Sequence, residues 1–286
     1  LDYGAEVWCQ DKPIQEIEKV QLWFLKTLLG LKKQTPTHAV LGETGRFPLH
    51  LRQQSIVIKY MHRLQTLDKN TVLFKTYQDL ANLDSLGHYT WVTKARKIMT
   101  LENSDTAPDS IPENFHIPVS TLNKGARYID YINKWVSDVN NSKQTPKLRT
   151  YKLFKNSYAI ETYLTNLDNV KHQRAICKFR TSSHRLAIET GRYTKPVTPV
   201  EKRICEFCNS GDTDDEAHML AKCTFHETER EAMVSKLPPY IQLNRVNSSQ
   251  SILVSFMSCD EPAVIHAVAK YVYTGFGKRN GDSHKS

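Results

Sequence analysis

Apolar side chains recur every three or four positions along most of the chain, which is the spacing of one face of an α-helix. The first predicted helix begins at Pro13, because proline lacks the N–H that a first helical turn leaves unsatisfied, and it ends at Gly30. Its predicted apolar face consists of Ile14, Ile17, Val20, Phe24 and Leu28. The pattern therefore predicts an amphipathic helix that packs against other helices.

The same spacing predicts helices along the remainder of the chain. Their predicted ranges are 35–45, 47–67, 70–83, 91–101, 120–140, 224–237, 249–259 and 262–276. Ser120 stands at the start of one of these segments, and serine commonly caps helix N-termini. The sequence therefore predicts a mainly α-helical fold that begins with a multi-helix bundle.

Prolines and small polar residues interrupt this pattern at residues 102–118, where three prolines disfavour a regular element. We interpret this stretch as a linker. It divides the chain into a helical domain over residues 1–101, a basic helical connection over 119–202, and a small knuckle with C-terminal helices over 203–286.

Cysteine and histidine cluster in a metal-binding pattern within the third segment. Cys205 and Cys208 form a C-x2-C pair, and His218 and Cys223 follow at a spacing that allows them to return to the same ion. Three thiolates and one imidazole are a common tetrahedral set for structural Zn²⁺, and four protein ligands leave no open position for catalysis. His226 is an alternative fourth ligand, so the sequence predicts a CCHC zinc knuckle with one ligand position unsettled.

Positive charge is concentrated just before this knuckle. The 286-residue chain has a net charge of +9, and residues 143–203 alone contain fourteen lysines and arginines against four acidic residues, a net charge of +10. Basic side chains neutralise phosphates, and aromatic rings such as Tyr151, Phe154 and Phe179 either stack on bases or pack internally. A solvated basic helix face is the alternative interpretation. The concentration favours a nucleic-acid partner, RNA or DNA.

The candidate nucleic-acid contacts combine basic residues of this segment with a hydroxyl-rich turn. They are Lys147, Arg149, Lys152, Lys178, Arg180, Ser183, His184, Arg185 and Arg192. Hydroxyls beside two arginines and a histidine suit phosphate binding. A catalytic Ser183/His184 pair is disfavoured, because adjacent residues rarely supply a nucleophile and its base in usable geometry.

Three further features of the sequence concern membrane association, the cellular compartment and the extent of the chain. No apolar run approaches the 18 residues of a membrane-spanning helix, and no signal-peptide pattern opens the chain, so we expect no membrane association. Cys9, Cys177 and Cys259 are scattered among apolar neighbours, which indicates core thiols in a reducing nuclear or cytoplasmic compartment. The first residue is not methionine, and we expect the chain to be a fragment of a longer protein.

Six stretches together resemble a single family in their order along the chain. They are Leu1–Trp8, Ile17–Gly30, Gly42–Leu49, Lys147–Lys152, Lys178–Tyr193 and Arg203–Cys223. In this order they resemble the region that follows the palm in the reverse transcriptases of non-LTR retrotransposons. The resemblance covers nearly the whole chain.

This resemblance implies a thumb over residues 1–101, followed by the basic connection and the CCHC knuckle. In such elements these parts hold template RNA and target DNA during target-primed reverse transcription. Two-metal phosphoryl transfer needs acidic residues that hold both ions, and no Tyr-x-Asp-Asp motif occurs here. The resemblance therefore implies a nucleic-acid-binding part without a catalytic centre, whose upstream polymerase domain is missing from this chain.

Two alternative functions remain open from the sequence. The first is a Mg²⁺-dependent nuclease that uses the acidic cluster Asp214, Asp215 and Glu216. The second is a protein-interaction module whose helices form a docking surface.

Overall fold

The computed structural model describes residues 2–9, 12–100, 115–122, 124–141, 146–239, 241 and 248–281. Within these ranges the protein is mainly helical and contains no β-strand, which confirms the predicted fold class. The chain forms two compact units. Unit 1 comprises Leu1–Phe24 and Arg46–Ser137, and unit 2 comprises Leu25–Gly45 and Asp138–Ser286.

Sixteen α-helices are assigned within the described residues. They are α1 (Ala5–Trp8), α2 (Gln15–Leu28), α3 (Thr37–Thr44), α4 (Leu49–Gln65), α5 (Val72–Ser85), α6 (Trp91–Thr100), α7 (Val119–Leu122), α8 (Ala126–Asn140), α9 (Tyr151–Phe154), α10 (Thr162–Asn166), α11 (Val170–Arg180), α12 (Ala187–Thr190), α13 (Glu216–Ala221), α14 (Glu227–Val234), α15 (Ser249–Met257) and α16 (Pro262–Arg279). Short 3₁₀ turns lie at Pro146–Leu148, Val200–Lys202 and Thr224–His226.

Unit 1 has its own hydrophobic core, in which α4, α5 and α6 pack against one another and α1 packs on α4. The core residues are Cys9, Val57, Ile58, Met61, Val92, Ala95 and Ile98. Burial of aliphatic side chains of this size stabilises each by roughly 1.5–3 kcal/mol relative to exposure. Unit 1 therefore contains apolar packing that does not depend on the knuckle.

Helix α2 confirms the first predicted helix but not its predicted apolar face. Val20, Phe24 and Leu28 are about half exposed. The buried face consists of Gln21, Leu25 and Leu29. The predicted face was wrong by one position. Gln21 is polar, but its Nε2 donates to the carbonyl of Phe47 at 3.1 Å, and this hydrogen bond allows the side chain to be buried.

The predicted helix over residues 120–140 is two helices. α7 ends at Leu122 and α8 begins at Ala126, with Gly125 at φ +101° immediately before it. Such a backbone conformation cannot continue a right-handed helix and favours glycine. Ser120 lies inside α7 and is not the cap of the long helix. The predicted linker, 102–118, lies outside the described residues except for residues 115–118, which form no helix.

Unit 2 is organised around its two C-terminal helices. α11 and α14 pack against α16, and α13 packs against α15. The predicted boundary between residues 202 and 203 falls inside this unit, so the basic segment and the knuckle share one compact body. Among the described helices, none is by itself long and apolar enough to cross a membrane; α15 and α16 meet that test only as a pair bent by 119°.

The end of α3 shows how closely the chain approaches itself within unit 2. Gly45 follows α3 at φ +57°, and a Cβ built there would lie 2.4 Å from the backbone nitrogen of Ile160. Glu161 N donates to the carbonyl of Glu43 at 2.9 Å beside it. Glycine is therefore required at position 45 by both conformation and space.

Candidate metal centre

A tight turn presents the first two cysteines. Backbone hydrogen bonds close the turn, from Cys205 N to the carbonyl of Asp212 at 3.0 Å and from Asp214 N to the carbonyl of Arg203 at 2.8 Å. Gly211 adopts φ +73° inside it, a conformation that other residues rarely adopt. Hydrogen bonding within 203–214 therefore sets the geometry of the C-x2-C pair.

Helix α13 presents the other two ligands. Asp215 caps its N-terminus, with its side chain accepting from His218 N at 2.8 Å. Beyond the helix end, Cys223 N donates to the carbonyl of His218 at 2.9 Å, which turns the chain back toward the cluster. A capped helix of six residues thus holds His218 and Cys223 on one side.

The ligand atoms of Cys205, Cys208, His218 and Cys223 all lie within 4.8 Å of one another, and all four residues are buried. The Sγ atoms of Cys205 and Cys223 are 3.8 Å apart, and Cys208 Sγ lies 3.3 Å from His218 Nε2. A tetrahedral zinc site with Zn–S bonds of about 2.3 Å separates its sulfurs by about 3.8 Å. The cluster could therefore hold a metal ion.

The electrostatics of the three thiols fit a cation as well. Burial raises the pKa of Cys205, and burial together with the Cys205 sulfur raises the pKa of Cys223 to about 12. Burial acts in the same direction on Cys208, but hydrogen bonds from the Ser210 side chain and backbone outweigh it and lower that pKa to about 6. A coordinating metal ion deprotonates thiols outright, since its charge opposes both burial and thiolate repulsion.

The structure also separates the two candidate histidines. His218 directs Nε2 toward the sulfurs, and its Nδ1 lies 3.6 Å from a carboxylate oxygen of Asp212. A carboxylate on the far ring nitrogen commonly orients a metal-bound histidine. His226 is fully buried, but its Nε2 accepts from Arg279 Nε at 2.9 Å. His218 therefore belongs to the cluster, and His226 belongs to the shell around it.

Arg279, at the end of α16, links this shell to the cluster. Its guanidinium donates to both carboxylate oxygens of Asp214, at 2.8 and 2.9 Å, and lies 3.7 Å from Cys205 Sγ. It also lies over the ring of Phe207 at 4.7 Å. A cation near the sulfurs offsets the net negative charge of three thiolates bound to a divalent ion.

Two members of the acidic cluster are already engaged by the protein. Asp214 is buried, paired with Arg279, and accepts from Ala187 N at 2.8 Å. Asp215 accepts from the His218 backbone as the cap of α13. Both carboxylates therefore accept hydrogen bonds from the chain itself.

The third acid, Glu216, is buried at the centre of a polar network. Its Oε1 accepts from Ser182 Oγ at 2.8 Å and faces His184 Nε2 at 2.9 Å, and its Oε2 accepts from Arg149. Although burial would raise the pKa of Glu216, His184 and Arg149 lower it to about 2. Since all three carboxylates bind donors of the chain itself, the geometry disfavours a Mg²⁺-dependent nuclease.

The hydroxyl-rich turn predicted to bind phosphate is internal. Arg180 donates to both oxygens of Glu43, at 2.9 and 3.1 Å, and pairs with Glu161 at 2.6 Å. Ser183 Oγ lies 3.0 Å from Thr35 Oγ1. Arg180, Ser183 and His184 are each at least 95% buried, so they hold unit 2 together and face no solvent.

The other predicted nucleic-acid residues vary in exposure. Lys147 is buried, Arg185 is exposed, and the half-buried ones are Arg149, Lys152, Lys178 and Arg192. Glu189 pairs with two of them, at 2.6 Å from Arg149 and 3.2 Å from Arg192. Any nucleic-acid surface must therefore use Arg185 and the half-buried residues together with basic residues outside this set.

Sequence reasoning did not identify Asp212 as a neighbour of His218, and it did not identify Arg279 as a neighbour of Cys205. Arg279 follows Cys223 by more than fifty positions, so nothing in the local sequence connects the two. Only Asp212 had a local signal, because it lies between two predicted ligands.

The chain matches no protein-family model, and comparisons with curated protein sequences and with solved structures find no significant match. The function is therefore inferred from the chain's own residues and geometry.

Proposed function

We propose that the chain is the nucleic-acid-binding C-terminal part of a non-LTR retrotransposon reverse transcriptase, with a structural zinc in its knuckle. The observation that supports this most is that the cysteine–histidine cluster and the cationic segment 143–203 belong to one compact unit. In this role the chain positions template RNA and target DNA for a polymerase domain that lies elsewhere. It supplies no catalytic residues itself.

Zinc has a structural role in this proposal. Cys205, Cys208, His218 and Cys223 would hold the ion, and the bound ion would supply the cross-link between the 203–214 turn and α13. The donor set of three thiols and one imidazole favours zinc over Mg²⁺ or Ca²⁺, which prefer oxygen ligands.

The basic surface of unit 2 supplies the contact with phosphates. In the described part of the segment, five basic side chains are exposed: Lys171, Arg174, Arg185, Lys195 and Lys202. The acids of this segment offset few of them, because Glu161 and Glu189 are already paired with buried or half-buried cations. Exposed cations of this kind give sequence-independent binding.

The test is the salt dependence of binding to a fluorescein-labelled single-stranded RNA, measured by anisotropy on the zinc-loaded chain. We expect log K to fall linearly with log salt, with a slope of about −0.7 for each phosphate neutralised. A flat response between about 50 and 200 mM salt would falsify nucleic-acid binding as the function.

A matched pair of variants locates the surface. Replacing Lys171, Arg185 and Lys195 by alanine together should weaken RNA binding about tenfold or more and reduce the slope. Replacing the exposed unit 1 residues Lys59, Lys69 and Lys75 removes the same charge and should change affinity much less. Equal losses in both variants would show that only net charge matters and that unit 2 is not the binding surface.

The protein-interaction module is favoured by one observation, the exposed apolar residues Val20, Phe24 and Leu28 of α2. Exposed apolar surface of this kind is common at protein contacts. Binding to a protein that does not change with salt, in a chain that binds no RNA, would establish this second candidate in place of the first.

A further inference from the structure

A cleft of about 180 Å³ opens on unit 2, and none of the four residues of the metal cluster lines it. Its lining includes Lys32, Gln34, Lys147, Glu189, Thr190 and Tyr193. The space is well above the roughly 10–15 Å³ that a single water molecule needs by the same measure. A small polar group therefore fits.

The ammonium of Lys147 is the first observation that points to a ligand. Lys147 is 9% exposed and lines the cleft. Among the described residues, no hydrogen bond or ion pair is made to its Nζ, and the centroid of the Tyr193 ring lies 5.8 Å away. The ammonium is not fully shielded from solvent and lines the cleft, where no carboxylate of the described residues neutralises its charge. The position therefore suits a bound anion.

Other cations reinforce the field in this cleft. Burial lowers the pKa of Lys32, and Lys147, Arg185 and Lys178 lower it further, whereas Glu189 acts in the opposite direction. Burial and Lys147 likewise lower the pKa of Lys26. Lys147 therefore repels both Lys32 and Lys26, and a phosphate group bound beside Lys147 and Lys32 relieves that repulsion.

Glu189 adds an acceptor to the cleft wall. Its Oε1 accepts from Arg149 at 2.6 Å and from Arg192 at 3.2 Å, so two guanidinium groups offset its charge. Its Oε2 is buried and has no hydrogen-bond partner among the described residues. A ligand hydroxyl that reaches this oxygen would satisfy it.

Tyr193 lies at the same cleft with its side chain 63% exposed. An exposed aromatic ring beside cations is the arrangement on which single-stranded bases stack. A ribonucleotide has the three groups that such a cleft would bind: an anionic phosphate, a sugar hydroxyl and a planar base.

We propose that this cleft holds one nucleotide of a single-stranded RNA, with its phosphate between Lys147 and Lys32, its sugar hydroxyl at Glu189 and its base on Tyr193. This assignment rests on the proposed function and names the site within unit 2 that performs it. The 2′-hydroxyl is what distinguishes RNA from DNA, so the cleft favours RNA.

The experiment compares binding of labelled oligouridine and oligodeoxyuridine to the zinc-loaded full chain by anisotropy. Lys147→Met keeps the buried stem and removes the charge; we expect about a tenfold loss of RNA affinity and a smaller salt slope. Tyr193→Ala should weaken RNA binding several-fold. The control Lys59→Ala removes an exposed charge of unit 1, outside the cleft, and should cost less than about twofold.

The possible outcomes distinguish a failure of the cleft assignment from a failure of the proposed function. If the native chain binds RNA with a steep salt dependence while Lys147→Met and Tyr193→Ala bind like Lys59→Ala, the cleft assignment is wrong and the proposed function stands. An equal affinity of the native chain for both oligomers overturns the hydroxyl contact. Thermal unfolding checks that the variants fold; if Lys147→Met does not, the exposed Lys32→Ala and Tyr193→Ala variants still decide the matter.

A titration with uridine monophosphate, followed by calorimetry, completes the test. If the native chain binds no oligomer at any salt but binds the monophosphate, and Lys147→Met does not, the cleft is a free-nucleotide site and the RNA proposal fails. If inorganic phosphate competes as well as the monophosphate does, the cleft recognises phosphate alone and the nucleotide assignment is wrong.

Discussion

His218 and His226 are both candidate metal ligands in the sequence but have different roles in the structure. His218 Nε2 lies beside Cys208 Sγ, whereas His226 Nε2 accepts from Arg279. Burial and the charge of Arg279 lower the pKa of His226 to about 4, so it is neutral at physiological pH and able to accept that hydrogen bond.

We predict that His218→Ala weakens metal binding by at least tenfold, because a tetrahedral site loses one of four ligands. His226→Gln keeps a buried acceptor and should retain near-native metal affinity. Competition with a chromophoric chelator measures both, and the absorption of a Co²⁺-substituted chain reports whether coordination remains tetrahedral. Loss of metal in the His226 variant alone would reverse the ligand assignment.

Two neighbouring cations at the end of α16, Arg279 and Lys278, differ in burial, so their contributions to stability can be compared directly. Arg279 and its partner Asp214 are both at least 92% buried, whereas Lys278 and Glu229 are 29% and 19% exposed. Breaking a buried pair leaves an uncompensated charge, whereas a partly exposed pair is screened by solvent.

Arg279→Met should therefore lower the free energy of unfolding of unit 2 by about 3 kcal/mol, and Lys278→Met by no more than about 1 kcal/mol. Urea denaturation followed by far-UV circular dichroism measures both. Similar losses in the two variants would mean that Asp214 finds another partner when Arg279 is removed.

At the scale of elements, the N-terminus of α4 is capped by a residue of α2. Glu18 accepts from Leu49 N at 3.1 Å and His50 N at 2.9 Å, and its Oε1 lies 3.1 Å from His50 Nδ1. Proline at position 48 precedes the helix and offers no capping side chain. A tertiary contact thus replaces the local cap.

The cap makes part of the stability of unit 1 depend on pH. Burial would raise the pKa of Glu18, but hydrogen bonds from the His50 side chain and from the His50 and Leu49 amides outweigh it and hold the pKa below its usual range. A depressed carboxyl pKa contributes stability that is present above the unfolded value of about 4.3 and lost as pH falls through the folded value.

Glu18→Gln should cost about 1 kcal/mol at neutral pH, and the difference from the native chain should shrink as pH falls below about 4. The exposed Glu16→Gln on the same helix is the control. Urea denaturation followed by tryptophan fluorescence at several pH values measures it; a pH-independent difference would remove the carboxylate from the explanation.

Helix positions were largely predictable, but helix faces and interruptions were not. α2, α4, α15 and α16 lie where periodicity placed them. The apolar face of α2 was misassigned because Gln21 is buried through its bond to Phe47. Local periodicity determines that a helix forms, while its partners determine which side is buried.

At the scale of the whole molecule, different spectroscopic probes report on the two units. All four tryptophans, Trp8, Trp23, Trp91 and Trp135, belong to unit 1. The metal cluster belongs to unit 2, where α13 packs against α15. Tryptophan emission therefore follows unit 1, while far-UV circular dichroism follows both units.

Removing the metal with a chelator, or replacing Cys208 by serine, should unfold the knuckle and lower the helical signal, since structural zinc supplies local folding free energy. Tryptophan emission should stay unchanged because the core of unit 1 is separate. Cys259→Ser, outside the cluster, should change neither signal. A red-shifted emission in Cys208→Ser would show that unit 1 depends on the knuckle.

The sequence by itself determined the helical class, the main helices and the three cysteines of the candidate metal cluster, because each depends on residues close together in the chain. Tertiary structure alone decided that His218 and not His226 joins the cluster, that Arg180 and Ser183 are internal, and that Lys32 and Lys147 share a cleft. These facts depend on contacts between distant segments. A basic residue has the same local pattern whether it faces solvent or a buried carboxylate, and only the folded chain supplies the carboxylate.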